Sequence, residues 1–275
     1  MPKRLKETMI RSDFHMHTAA SEDSDAPAVE MCEAAVQRGL AAVAITDHVE
    51  MLRYREDGYD MAAAQSWAAS GEMAAQFAGR LRVARGVELG QPLYNLAESE
   101  RLLSEHAYDF VLASQHQLDD GLDFYFYDYT SVDVTATMAR YFDAVYQMVQ
   151  WGKFHSLAHL TYPFRYLPPE KRPADYAAWQ PQIDAILRTL AQKGLALEIN
   201  TSGLRNPALR TTHPDLPIVR RFRELGGEHI TVGADAHIPA DVGAHIPDAL
   251  ALARAAGFDH YTVYFAGQPE MIPID

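Results

Sequence analysis

A chain of 275 residues, 48% hydrophobic and 22% charged, can bury a sizeable core without cross-links, and its single cysteine, Cys32, excludes an intrachain disulfide. That suits a reducing compartment, and a cytoplasmic location is expected. The formal net charge of −13 argues against a nucleic-acid partner, and neither a signal-peptide pattern in the charged start MPKRLKETMI nor a membrane-spanning run is found.

In chain order, strand-type runs are expected at 10–15, 41–47, 81–88, 109–114, 154–159, 195–200 and 229–235, with 261–266 as a candidate eighth. Helical spacing falls at 26–39, 64–78, 134–152, 181–194, 215–227 and 248–257. Several of these stop at a glycine, such as Gly39, Gly194 and Gly257. Strand–helix alternation repeated seven or eight times implies a parallel sheet. At this length an α/β barrel is the leading architecture, and an open doubly wound sheet is the alternative. There is no internal repeat, and the Pro-rich stretch 166–176 reads as a loop, so residues 1–275 are expected to form a single domain.

The C-terminal edge of each run carries a polar group. The first ends in HMHT with His15 and His17, whose side chains share one face of a strand. The others deliver His48 in TDHVE, Glu88 in GVELG, His116 in SQH, His159 in AHL, Asn200 in EIN, and Asp235 and His237 in GADAH. Barrel and open α/β enzymes place their chemistry at that edge. One histidine after a strand is usually a cap or a satisfied core residue; seven such motifs in one relative position point to a metal site. Imidazole and carboxylate without thiolate suit zinc, manganese or iron. Six histidines and two carboxylates exceed the needs of one ion, and Glu88 is placed to bridge two. Clustered divalent ions favour hydrolysis of a phosphate ester. His106, His155, His229, His245 and His260 read as non-ligands; His213 in RTTHPD falls in the loop after the sixth run, at the same end as the motifs, and reads as surface loop, with substrate contact as the alternative.

HMHT, TDHVE, GVELG, SQH, AHL and GADAH, in this order, resemble the PHP (polymerase and histidinol phosphatase) superfamily. SEDSDAP, QLDDGLDFY, EINTSGLR and GADAHIPADVGAHI resemble its histidinol-phosphatase branch, and the resemblance spans about residues 10 to 266. It implies a distorted (β/α)7 TIM-like barrel and a metal-dependent phosphatase acting on L-histidinol phosphate in histidine biosynthesis. It implies two to three divalent ions: His15, His17, Glu88 and Asp235 at one, Glu88 with His116 and His159 at a second, His48 and His237 at a third. Asp23 stands where the family often has another histidine and is included as a ligand; the family more often has an acidic residue where Thr161 stands. The same ligand set would be catalytic. Arg165 in HLTYPFR and Arg205 in NTSGLR would hold phosphate, since a guanidinium fork matches it bidentately. Asn200 and Ser202 would orient substrate, Asp47 would bond a ligand histidine, and Glu50 would face a substrate cation.

Cys32 reads as core on the apolar face of the first helix. The aromatic run FYFYDY (124–129) reads equally as pocket wall or packed loop. Three rivals remain: a family phosphatase for phosphotyrosine or another small phosphomonoester, a metal-dependent amidohydrolase, and a non-catalytic metal-binding module. The amidohydrolase class often uses a carboxylated lysine at a strand end, and Lys3, Lys6, Lys153, Lys171 and Lys193 all lie elsewhere.

Overall fold

The computed structural model describes residues 11–274. The charged start, with Lys3, Lys6 and the first residue of the 10–15 run, lies outside them. The elements are β1 (Ser12–Met16), α1 (Ala28–Gln37), β2 (Ala42–Ile45), β3 (His48–Glu50), α2 (Tyr59–Gln76), β4 (Arg82–Gly90), α3 (Leu96–Glu105), β5 (Phe110–Ser114), α4 (Val134–Trp151), β6 (Ser156–Leu157), α5 (Gln180–Lys193), β7 (Ala196–Asn200), α6 (Ser202–Arg205), α7 (Leu216–Glu224), β8 (Ile230–Gly233), α8 (Ile246–Ala255), β9 (His260–Phe265) and β10 (Gln268–Pro273).

β1, β2, β4, β5, β6, β7 and β8 run side by side, all parallel. β3 continues β2 along β4 without a change of register, Ile45 opposite Arg85 and His48 opposite Glu88. The interruption falls at Thr46 and Asp47. Gly86 permits the close approach there, because a Cβ on it would stand 2.7 Å from the Ile45 carbonyl oxygen. The ring is drawn together between the ends of β1 and β8: the His17 N–H donates to the Ala236 carbonyl and the Asp235 N–H to the His15 carbonyl, both at 2.8 Å. The result is the expected distorted seven-stranded barrel, nearly closed.

The candidate eighth strand is corrected. β9 pairs antiparallel with β10 in a separate hairpin. Its contacts are with strand beginnings: the Tyr261 hydroxyl donates to Ser12 Oγ, the Ala266 N–H to Asp109, and Arg82 pairs with Glu270. The hairpin therefore covers the N-terminal end of the barrel and leaves the opposite end open. A second correction is α3. The sequence LAESERLLSE is short and mostly polar, and only Ser99 and Leu102 are buried along it. The Asn95 side chain caps it, accepting from the Glu98 N–H, and Arg101 pairs with Glu98 and Glu105 along its surface.

Two apolar clusters hold the layers. The larger joins the strands to α4, α5, α7, α8 and the hairpin; the smaller packs α1 and α2, with the buried Cys32 and Phe77, against β1 and β2. Among the described residues no helix is long and apolar enough to cross a membrane.

A bulge in β1 prepares the site. The register against β2 shifts between Asp13 and Met16. Phe14 thereby packs on Phe110 and Phe265 at the barrel floor, while the next residue, His15, faces Glu88 and Glu198. Asp13 turns the other way and accepts the N–H groups of Ala234 and Gly243. Burial pushes its carboxyl up to about 6 against these bonds. Gly233 completes the arrangement: a Cβ there would run into His15 Cβ and stand 2.5 Å from Glu198 Oε1. Gly233→Ala is expected to cost roughly 1–3 kcal/mol, read as a lower urea midpoint at unchanged slope.

Candidate active site

Six histidines and three carboxylates from seven places in the sequence meet at the open end of the barrel. Their centre is Glu88, fully buried on β4. Its Oε2 lies 3.1 Å from His15 Nε2, 3.1 Å from His48 Nδ1 and 3.5 Å from His17 Nε2. Its Oε1 lies 2.9 Å from His159 Nε2 and 3.2 Å from His116 Nε2. Asp235 Oδ1 lies 3.3 Å from His17 Nε2 and 3.6 Å from His15 Nε2. Asp23 sits at the outer edge, its Oδ2 2.9 Å from His237 Nε2 and 3.6 Å from His48 Nε2. The His17 ring is stacked between those of His48 and His237, with centroids 4.2 and 4.1 Å away.

These side chains form four overlapping groups able to hold an ion: His15, His17 and Asp235; His15, Glu88 and His159; His48, Glu88 and His116; and His17, Asp23, His48 and His237. Hydrogen bonds on the far side of the rings set the donors. His15 Nδ1 lies 2.6 Å from Glu198 Oε1, His116 Nδ1 2.8 Å from Glu50 Oε1, and His17 Nδ1 3.1 Å from Ser21 Oγ. The Ser21 hydroxyl donates to Asp47, so it accepts from His17. Each Nδ1 thus carries a hydrogen, and each Nε2 faces Glu88, where it can hold a proton or, in its place, a metal ion.

That geometry calls for a cation. His15 and His17 Nε2 lie 3.1 Å apart, and His116 and His159 Nε2 lie 3.3 Å apart. Lone pairs so close repel unless they share a positive charge, and a tetrahedral ion with bonds of about 2.0–2.1 Å sets its ligands roughly 3.3 Å apart. His48 Nδ1 and His237 Nε2 are buried and close to carboxylates, yet neither makes an aligned hydrogen bond. Donors that approach without pointing at one another suit a common ligand between them.

The electrostatics agree. Burial raises the Glu88 carboxyl, but the His15, His48 and His116 imidazoles outweigh it and hold it well below the usual range. Asp235 behaves alike under burial, His15, His17, His237 and Arg165. Burial would empty His15 and His116 of their protons; instead Glu198 and Glu88, and Glu50 and Glu88, hold them well above the ordinary value. Burial, reinforced by neighbouring imidazoles, keeps His17 low. The pit is one that gathers positive charge.

Above the cluster lies a cavity of about 560 Å³, walled by Asp23, His48, His116, His159, Asp235 and His237 on one side and by Asp123, Tyr125, Phe126, Tyr162, Arg165 and Tyr166 on the other. Arg165 stands on the single turn 162–166 that follows β6. It donates to Ser202 Oγ at 2.8 Å and to Asp235 Oδ2 at 3.3 Å, and its guanidinium lies over the Tyr162 ring, 4.8 Å from the centroid.

Several residues sit otherwise than expected. Arg205 does not line the cavity; it donates to the carbonyls of Ala234 and Asp235 and pairs with Asp241, so it braces the segment that carries Asp235. Asn200 is fully buried, with Nδ2 3.3 Å from Asp235 Oδ2, and its Oδ1 accepts from the Ser202 hydroxyl at 2.6 Å. Ser202 in turn meets Arg165. Both orient protein groups. Glu50 is occupied by His116 and Gln91, and Asp47 reaches the histidines only through Ser21. His213 is not on the surface. It is 2% exposed, bonded to Thr161 Oγ1 at 3.0 Å and paired by its backbone with Asn200. The aromatic run divides: Tyr125 and Phe126 line the cavity, and Phe124 is core.

Glu198 was not legible as a site residue. It contacts His15 through Oε1 and accepts the His159 N–H at 2.8 Å through Oε2. The available signal was one carboxylate inside the apolar run LALEIN. Glu198→Gln is expected to weaken metal retention about 10–100-fold, measured by chelator competition, because the amide no longer fixes His15 as a charged acceptor does.

A PHP domain model matches residues 13–202 of the chain. The chain belongs to the PHP domain family. The chain is 29% identical over 265 residues to a histidinol-phosphatase of Lactococcus lactis subsp. lactis, covering 94% of this chain and 96% of that one. It is 30% identical to a Deinococcus radiodurans protein named "Probable histidinol-phosphatase", covering 89% and 93%. Among solved structures, histidinol phosphate phosphatase from Lactococcus lactis subsp. lactis, complexed with zinc, L-histidinol and phosphate, superposes with a TM-score of 0.81 at 25% identity, covering 96% of this chain and all of that one.

Proposed function

We propose that this PHP domain hydrolyses L-histidinol phosphate to L-histidinol and phosphate. The observation that carries the reading is one buried carboxylate, Glu88, ringed by five imidazoles beneath a cavity lined also by the half-buried Arg165. The relatives named above and the zinc, L-histidinol and phosphate of the Lactococcus lactis structure support it.

The residues that would hold two to three divalent ions are His15, His17, Asp23, His48, Glu88, His116, His159, Asp235 and His237. Zinc is favoured over manganese and iron by that same structure. When bound, such ions polarise phosphoryl oxygens and lower the pKa of water. The chain supplies the rest. Arg165 binds phosphate with a fork already aimed by Ser202, Asp235 and the Tyr162 ring. Glu198, Glu50 and Ser21 hold the histidine rings in the tautomer that presents Nε2. Arg205 and Asn200 keep Asp235 in place. Glu22 and Asp123, the lining carboxylates outside the ligand set and not engaged by His116, give the cavity an acidic side that suits a cationic amino alcohol.

No lysine lines the cavity among the described residues, which disfavours an amidohydrolase with a carboxylated lysine. The chain acts as one domain in the cytoplasm, on a small soluble substrate rather than on nucleic acid or a membrane. A substrate panel tests the reading. A kcat/KM above about 10⁴ M⁻¹s⁻¹ for L-histidinol phosphate, well above phosphotyrosine and p-nitrophenyl phosphate, is expected. Faster turnover of phosphotyrosine, or slow turnover of all three, would contradict it.

A further inference from the structure

The cavity has an end that the metal-competent residues do not explain. Residues 117 and 123 pair as an antiparallel bridge, and the Phe124 N–H donates to the His116 carbonyl at 3.1 Å. Asp123 is thereby fixed to the backbone of the cluster. Its Oδ1 accepts from the Tyr125 N–H at 2.7 Å and from the Tyr162 hydroxyl at 3.1 Å. Among the described residues, Oδ2 has only the 3.3 Å share of that same hydroxyl. An ionised carboxylate offers about four acceptor positions. Oδ2 therefore keeps acceptor capacity, and Asp123 lines the cavity.

The surrounding surface is aromatic. Tyr125 and Phe126 are 65% and 67% exposed at the mouth, which is unusual for large apolar rings. Tyr125 meets Tyr166 edge to face at 5.5 Å. Tyr162 separates this end from the cluster, its ring 4.8 Å from His116 and 5.0 Å from His159, its hydroxyl directed at Asp123. One acidic acceptor among aromatic walls, one tyrosine away from the cluster, suits a nitrogen-bearing group attached to the alcohol that leaves.

Building on the function proposed above, we propose that Asp123 is the specificity-determining residue for the leaving group. Its carboxylate accepts an N–H from the ammonium or the imidazole of the alcohol, while Tyr125 and Tyr166 pack against the same group.

Esters that differ only in the leaving group test this on the metal-reconstituted full chain. O-phosphoethanolamine carries an ammonium without a ring; the phosphate of 2-(imidazol-4-yl)ethanol carries the ring without the ammonium; glycerol phosphate carries neither. Asp123→Asn is expected to lower kcat/KM for L-histidinol phosphate about 30-fold more than for glycerol phosphate, the span of a charge-assisted hydrogen bond. The truncated ester that shares this selective loss identifies the nitrogen recognised. Equal loss on every ester, or none, overturns the proposal. So does a wild-type enzyme with no preference for either truncated nitrogen ester over glycerol phosphate, a result that does not depend on recovering the variant. Wild-type turnover of L-histidinol phosphate no faster than that of glycerol phosphate overturns the functional reading instead, and the two truncated esters still report on Asp123.

Discussion

Glu88→Gln should lose about 10³-fold in kcat/KM and most of its bound metal. The substitution keeps the shape and removes one charge. That charge sits within 3.5 Å of nitrogens from His15, His17, His48, His116 and His159. Removing one member of a buried charged set costs about 3–5 kcal/mol, and each 1.36 kcal/mol is a factor of ten. The amide also turns an N–H toward an imidazole that has none of its lone pairs to spare once an ion is bound. Metal analysis after dialysis and steady-state phosphate release should fall together. Near-wild-type metal content with normal turnover would remove Glu88 from the centre of the site.

Arg165→Lys should separate the two losses. Turnover of L-histidinol phosphate is expected to drop about 10²–10³-fold, the usual effect of removing one preorganised donor, with metal content retained. A lysine cannot hold Ser202 and Asp235 and present a fork to phosphate at once, nor stack on Tyr162 as a planar guanidinium does. Arg165 meets the cluster only at Asp235, so the ions keep their ligands. Loss of metal equal to that in Glu88→Gln would make Arg165 a brace for Asp235 and leave phosphate binding to another group.

The barrel and the cluster were legible because both are written in local pattern. Six of the seven strand runs end in a metal-competent histidine or carboxylate, the remaining one ends in Asn200, and so many polar endings in one relative position are hard to produce by chance. What escaped depends on contacts between distant segments. Residues 261–266 alternate like any strand, and nothing within them says that they turn back on 268–273 and cover the barrel floor. Helix 96–105 is short and mostly polar, with one buried leucine, Leu102, and with a cap and surface ion pairs supplying much of its support. Glu50 and Glu198 are the same residue type as Glu88, and only the fold decides which carboxylate faces the ions and which steadies a ring. His213 sits in a turn-like sequence, yet its backbone pairs with Asn200. Arg205 is one residue of a motif at the correct rim, and its guanidinium points along the backbone of Ala234 and Asp235.

The most direct test of metal-dependent phosphomonoester hydrolysis at this cluster is phosphate release from L-histidinol phosphate by chelated protein, titrated with a divalent ion. No turnover without metal and full recovery at two to three equivalents per chain are expected. Turnover that survives complete chelation, or metal binding at that stoichiometry with no phosphate released, would contradict that expectation.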